Sequence, residues 1–275
     1  MNPSNTGPMP SLFLSHGAPT LVVGASPAKA FLADLGRRIG RPRAILAASA
    51  HWETGTPRVG GAAHPATMHD LCAQCRDLQR LAYAAPGDPA LARRVADLLA
   101  DAGLPAAVDG DRGLDVGAWT PLLLMYPDAG VPVVPLSIQP ARDPAYHLAL
   151  GRALRPLLDE GVLVIGSGSA THNVAAYHGR AEDAPAPEWV TRFQDWLADR
   201  LSAGDLPAVL DARRGGPAGR ENHPTAEHLL PLYVALGAAG PDAAARRIHR
   251  SHTYGVLAMD AYSFTPAAAA DRLAA

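Results

Sequence analysis

A chain of 275 residues has room for one large α/β domain or two small ones, with a full apolar core and no need of a disulfide or metal staple. Its 24 basic and 26 acidic residues leave a formal net charge of -2, with Lys29 the sole lysine, and no basic run suits nucleic acid or an anionic lipid surface. Met1 to Pro10 lacks the charged and apolar regions of a secretion signal, and no apolar run is long enough to cross a bilayer, so the expected location is the cytoplasm.

Ser11 to Leu14 reads as a short apolar strand that breaks at Ser15-His16-Gly17-Ala18-Pro19. Gly17 and Pro19 turn the chain away there and leave His16 outside a continuing ladder. Ser26 and Pro27 supply the cap and first position of a helix to about Arg38. Ile45 to Ala50 has no polar face and reads as a strand buried on both sides, of the kind found in parallel sheets, which delivers His51 and Trp52. Strand, helix and strand make a βαβ unit, so His16 and His51 should leave from one edge of the sheet. In such sheets the ligand crevice lies outside the carboxyl ends of the strands.

Glu53 to Gly87 is rich in Gly, Pro and His, with a short strand expected at Arg58 to Ala62, and is long enough to line a pocket. Cys72 and Cys75 fall within it as a lone Cys-x-x-Cys, with no second pair to complete a zinc site, and read as a coincidental pair. Asp88-Pro89 opens a helix to about Ala102, Pro105 to Val108 is a brief strand, and Leu114 to Tyr126 is a loop turning into an apolar helix. Val131 to Ile138 is another buried strand, and Asp143-Pro144 caps a helix ending near Asp159. Val162 to Gly166 is a strand whose exit, Ser-Gly-Ser-Ala-Thr-His-Asn, delivers His172. Ala184 to Ala203 is an amphipathic helix with Trp189, Phe193, Trp196 and Leu197 on its core face. Arg213 to Asn222 reads as a charged loop, Pro224 to Gly237 as a helix, and Gly255 to Phe264 as the last strand. No boundary or repeat interrupts this order, so the expectation is one domain over 1–275, with a central, mostly parallel sheet flanked by helices.

Strand ends thus present His16, His51 and His172, and a helix start presents His223, Glu227 and His228. Imidazoles converging from distant segments on the mouth of a sheet suit a divalent transition metal with open positions. His147 and His178 lack that placement and read as surface or capping residues. Such a site also suits a zinc hydrolase, and the same scaffold could serve a non-catalytic binding protein.

A set of short motifs narrows the choice. Leu12 to Pro19 (Leu-Phe-Leu-Ser-His-Gly-Ala-Pro), Ser49 to Trp52, His69-Asp70, Tyr83 to Gly87, Leu114 to Trp119 and Met125 to Asp128 follow one another. Gly166 to Gly168, Thr171 to Asn173, Pro224 to His228 and Met259 to Tyr262 complete the series. In this order and spacing the chain resembles the LigB-type class III extradiol ring-cleavage dioxygenases, and within them the 4,5-DOPA dioxygenase subgroup. The resemblance implies His16, His51 and His228 as ligands of one Fe(II) or Zn(II) ion, with Glu227 as the rival to His228. It implies His172 as the acid/base near the metal and a fourth ligand when no substrate is bound. It also implies substrate contact for His69 and His223, although relatives carry Asn at the position of His223. The reaction implied is cleavage of a catechol beside its diol by O2, with a histidine taking one hydroxyl proton. Two departures stand out: Val116 occupies the place of a histidine in the relatives' Asp-His-Gly, and Cys72-Ala-Gln-Cys75 replaces an aromatic, Gly-containing segment.

Overall fold

The computed structural model describes residues 7–69, 77–267 and 273; Asp70, Cys72 and Cys75 lie outside them. Among the described residues ten strands follow in chain order: β1 (Ser11–Ser15), β2 (Ala44–Glu53), β3 (Arg58–Gly60), β4 (Ala107–Asp109), β5 (Val133–Ile138), β6 (Val162–Gly168), β7 (Ala244–His249), β8 (His252–Thr253), β9 (Leu257–Ala258) and β10 (Ala261–Thr265). Eight of them form one sheet in the order β4-β3-β5-β2-β6-β1-β10-β7, and β8 pairs with β9 in a small ribbon. The centre is parallel: β2 lies between β5 and β6, with Ile45 opposite Val133 and Leu163, and β6 pairs with β1 through Leu12 opposite Ile165. Towards the edges β10 runs antiparallel to β1, β7 to β10, and β3 to β5. This is the expected α/β architecture, a mostly parallel sheet covered by helices.

Local chemistry sets the helices as expected. Ser26 accepts from Lys29 N at 3.1 Å and Asp88 from Leu91 N at 2.9 Å, each capping a helix that begins on proline: Pro27–Ile39 and Pro89–Asp101. Asp115 and Asp143 cap Val116–Met125 and Pro144–Ala153 in the same way. Parallel strands β1, β5 and β6 are buried throughout, which is why their sequences are continuous apolar runs rather than alternating ones.

Several expectations change. The helix placed at Asp143 to Asp159 breaks at Pro156, which cannot donate within a continuing helix, and a separate turn forms at Pro156–Asp159. The charged loop at Arg213 to Asn222 contains two short helical turns, Ala212–Gly215 and Gly219–Asn222. The helix expected from Pro224 starts only at Leu230, so His228 sits in the turn before it. Gly255 to Phe264 is two elements, β9 and β10, and the edge strand β7 was not foreseen. His147, read as a surface or capping residue, is fully buried and caps: its Nε2 accepts from Gln139 N at 3.1 Å and its Nδ1 donates to Asp143 O at 2.9 Å.

Helix Leu230–Ala239 packs on β6 and β1 and is covered in turn by Pro144–Ala153. Glycines permit the approach: a Cβ on Gly166 would lie 2.0 Å from Pro231 O, and one on Gly168 would lie 2.1 Å from His228 O. The turn carrying His228 therefore rests directly on the carboxyl end of β6, where Ser169 N donates to His228 O at 2.9 Å.

Candidate metal centre

His16 follows β1 by one residue, and its N–H still donates to Gly168 O at 3.0 Å, so its backbone is held in the sheet. Gly17 then turns the chain at φ +60, where a Cβ would meet Met259 Cε at 2.6 Å. His51 lies within β2 rather than beyond it. Its N–H donates to Ser49 Oγ at 3.2 Å, and that hydroxyl donates to Asp115 Oδ1 at 2.6 Å. Asp115 is fully buried, caps its helix through Ala118 N, and pairs with Arg112 at 2.7 Å. Gly117, the second residue of that helix, approaches so closely that a Cβ there would lie 2.9 Å from His51 Cδ2.

Hydrogen bonding fixes the tautomer of His16. Ser167 Oγ donates its single proton to Gly117 O at 2.5 Å, so it accepts from His16 Nδ1 at 3.0 Å. His16 Nε2 is then the unprotonated nitrogen, and it lies 3.0 Å from His51 Nε2. His228 follows the same logic: Nδ1 donates to Glu227 Oε1 at 2.9 Å, while Nε2 is buried with no hydrogen-bond partner among the described residues. The ring centroids of His16, His51 and His228 lie 4.8, 5.3 and 5.1 Å apart, and one ligand nitrogen from each falls within 4.8 Å of the others. A buried lone pair with no donor, beside two more imidazole nitrogens, fits a divalent cation.

Burial pushes the pKa of His16 well below the ordinary histidine value, aided by neighbouring His51, His228 and His172. Burial does the same to His228, with His172, His51 and His223 adding to it. Neutral imidazoles are the form a metal needs. His172 stands on the loop after β6, its N–H donating to Asn222 O at 2.9 Å. Its ring stacks on His228 with centroids 3.4 Å apart and planes at 9°. Burial brings its pKa down to about 4, opposed by the Glu227 carboxylate, whose Oε1 is 4.0 Å from Nδ1, and assisted by His51. A cavity of about 260 Å³ opens over these rings, walled by Ala18, Pro19, Val174, Tyr177 and Leu257.

The other two expected site residues stand apart from this wall. His223 is fully buried, donates from Nε2 to Ala170 O at 2.9 Å, leaves its buried Nδ1 without a hydrogen-bond partner among the described residues, and packs on Phe193 at 5.6 Å. His69 lies edge-on to Trp119 at 5.8 Å with its buried Nδ1 unpartnered among the described residues. Val116 is 1% exposed and packs in the apolar core. Sequence reasoning passed over Ser49, Asp115 and Ser167, which hold the histidines. Asp115 carried a signal, a capping residue directly before an apolar helix; Ser167 carried none, because its partners are 151 and 50 residues away.

The 4,5-DOPA dioxygenase extradiol of Beta vulgaris is 43% identical over 259 residues, covering 93% of this chain and 96% of the relative. The protein of that name from Escherichia coli K12 is 37% identical, covering 84% and 85%. The crystal structure of an uncharacterized protein, JW3007, from Escherichia coli K12 superposes with a TM-score of 0.76 at 33% identity, covering 93% of this chain and 99% of that one. The family model for the catalytic LigB subunit of aromatic ring-opening dioxygenase matches residues 10–265, a span that holds every strand of the sheet and every histidine around the cavity. The chain belongs to the LigB family and is an extradiol ring-opening dioxygenase.

Proposed function

We propose that the protein cleaves the ring of a catechol-type substrate with O2, using one Fe(II) ion held by His16, His51 and His228. The observation that carries this reading is the convergence of three imidazole nitrogens within 4.8 Å at the mouth of the sheet, with the His228 Nε2 lone pair buried and unpartnered among the described residues. A metal held there supplies Lewis acidity towards the substrate's hydroxyls and redox chemistry with O2.

The chain's own groups supply the rest. His172, neutral at pH 7, accepts a hydroxyl proton at Nε2, and the imidazolium so formed keeps Nδ1 beside the Glu227 carboxylate at 4.0 Å. Val174, Leu257, Pro19 and Tyr177 orient the flat ring and limit water. The space suffices for a single substituted ring, since a dry cavity of about 150 Å³ already holds benzene. The relatives named for 4,5-DOPA point to a dihydroxyphenyl substrate, and the apolar wall supports a ring carrying an uncharged or weakly polar substituent.

The test is anaerobic loading with Fe(II), followed by a panel of catechols while oxygen uptake and a yellow ring-opened product are recorded. Stoichiometric oxygen consumption is the expected result. Tightly held zinc with oxygen-independent hydrolysis would overturn the reading, and so would catechol binding with no turnover in iron-loaded protein.

A further inference from the structure

Glu227 precedes His228 and belongs to a second group, with His172 and His228, whose ligand atoms lie within 4.8 Å of one another. It is therefore the obvious competitor for the metal. Its hydrogen bonds say otherwise. Oε1 accepts from His228 Nδ1 at 2.9 Å and from Thr225 Oγ1 at 2.9 Å, so the oxygen facing the histidines already has two donors. The bond to His228 leaves Nε2 of that ring as the nitrogen for a cation, and the side chain is only 16% exposed, which keeps the charge out of bulk water.

Three neutral imidazoles bring no charge to a divalent ion, whereas the common non-haem iron site pairs two histidines with one carboxylate. A carboxylate bonded to the far nitrogen of a ligand histidine fixes its tautomer and raises its basicity. Resting on the metal site proposed above, we infer that Glu227 is a positioning residue: it holds His228 as the Nδ1–H tautomer and delivers through the imidazole the negative charge that a carboxylate ligand would supply directly. The site then carries the charge of a two-histidine, one-carboxylate set, with the carboxylate one bond further out.

The test uses full-length protein with Glu227→Gln, Glu227→Asp and Glu227→Ala. Gln keeps an acceptor oxygen for His228 Nδ1 but removes the charge; Asp keeps the charge at shorter reach. Zn(II) affinity is measured by competition titration, Co(II) absorption reports coordination, and the Fe(III)/Fe(II) midpoint potential reports charge. Glu227→Gln is expected to hold one metal about 10- to 100-fold more weakly, with an unchanged Co(II) coordination number and a raised midpoint potential that Asp partly restores. Ala is expected to be weaker than Gln. Wild-type affinity and potential in the Gln variant would overturn the inference. A lost ligand in its Co(II) spectrum, together with full metal retention in His228→Ala, would also overturn it by making Glu227 a direct ligand. Failure of the metal-site reading is distinguished by the wild type alone, which would then bind no stoichiometric metal.

Discussion

At the scale of single residues, the site depends on which nitrogen of each histidine is free. Ser167 settles that for His16, so Ser167→Ala is expected to lower metal affinity about 10- to 100-fold while leaving the circular dichroism unchanged. Zinc titration checks it, and unchanged affinity would show that the His16 tautomer needs no such support. His172→Asn is expected to keep the metal and lose turnover by at least about 100-fold, because Asn fills space and hydrogen-bonds but accepts no proton as imidazole does. Metal per chain beside oxygen uptake separates the outcomes; loss of metal would make His172 a ligand. Val116 is a residue whose chemistry and packing pull apart. A histidine placed there enters a site 1% exposed within the apolar core, so Val116→His is expected to cost about 1–3 kcal/mol of stability, read by thermal unfolding. A variant as stable as the wild type would show that the position opens onto the cavity.

Among elements, the central fact is that β1, β2 and β6 end together, and this much is legible in the residues. Apolar runs that stop at Ser15-His16, at His51-Trp52 and before His172 announce parallel strands emptying on one edge. His228 is different, because its position depends on close approach: Gly168 without a side chain lets the turn settle on β6, and the helix begins two residues later than His228 itself. A periodicity reading extends the helix back to Pro224 because it passes over Pro231, the local mark of the later start: a proline has no N–H to bond back within a running helix and sits instead in the first turn of Leu230–Ala239. Ala244–His249 was missed for a related reason. It is a half-exposed edge strand whose Ala-Ala-Arg-Arg-Ile-His sequence has no clean alternation, and among the described residues it pairs with β10 alone. Gly168→Ala tests the close approach: a Cβ placed 2.1 Å from His228 O forces backbone to move, so metal affinity is expected to fall by tenfold or more while the sheet survives. Retained affinity would mean the His228 turn is not seated by that contact.

Across the whole molecule, the core consists of two apolar clusters, and helix Leu230–Ala239 contributes to both: Val234 and Ala238 to one, Leu232 and Tyr233 to the other. None of the helices among the described residues is long and apolar enough to cross a membrane. The antiparallel extension β10-β7 is tied to helix Glu188–Ser202 by a buried polar network centred on Asp260. Its carboxylate accepts from Gln194 Nε2 and from Tyr262 Oη at 3.0 Å and lies 3.5 Å from Arg247 Nη1. Burial raises the Asp260 pKa to about 6, opposed by the Gln194 hydrogen bond and by Arg247. Desolvation outweighs the partners. Because the folded pKa lies above the ordinary value near 4, the stability owed to this group is fully present below about pH 4 and is lost as pH rises through about 6. Across that window the loss amounts to about 3 kcal/mol. Asp260→Asn removes the titration while keeping an acceptor for Gln194. The stability difference, wild type minus variant, is therefore expected to shrink as pH rises from 4 to 7, measured by denaturant unfolding at each pH. A difference that stays constant, or grows with pH, would mean that Arg247 and Gln194 compensate the buried carboxylate fully and that the network ties β10 to its helix without a titration cost.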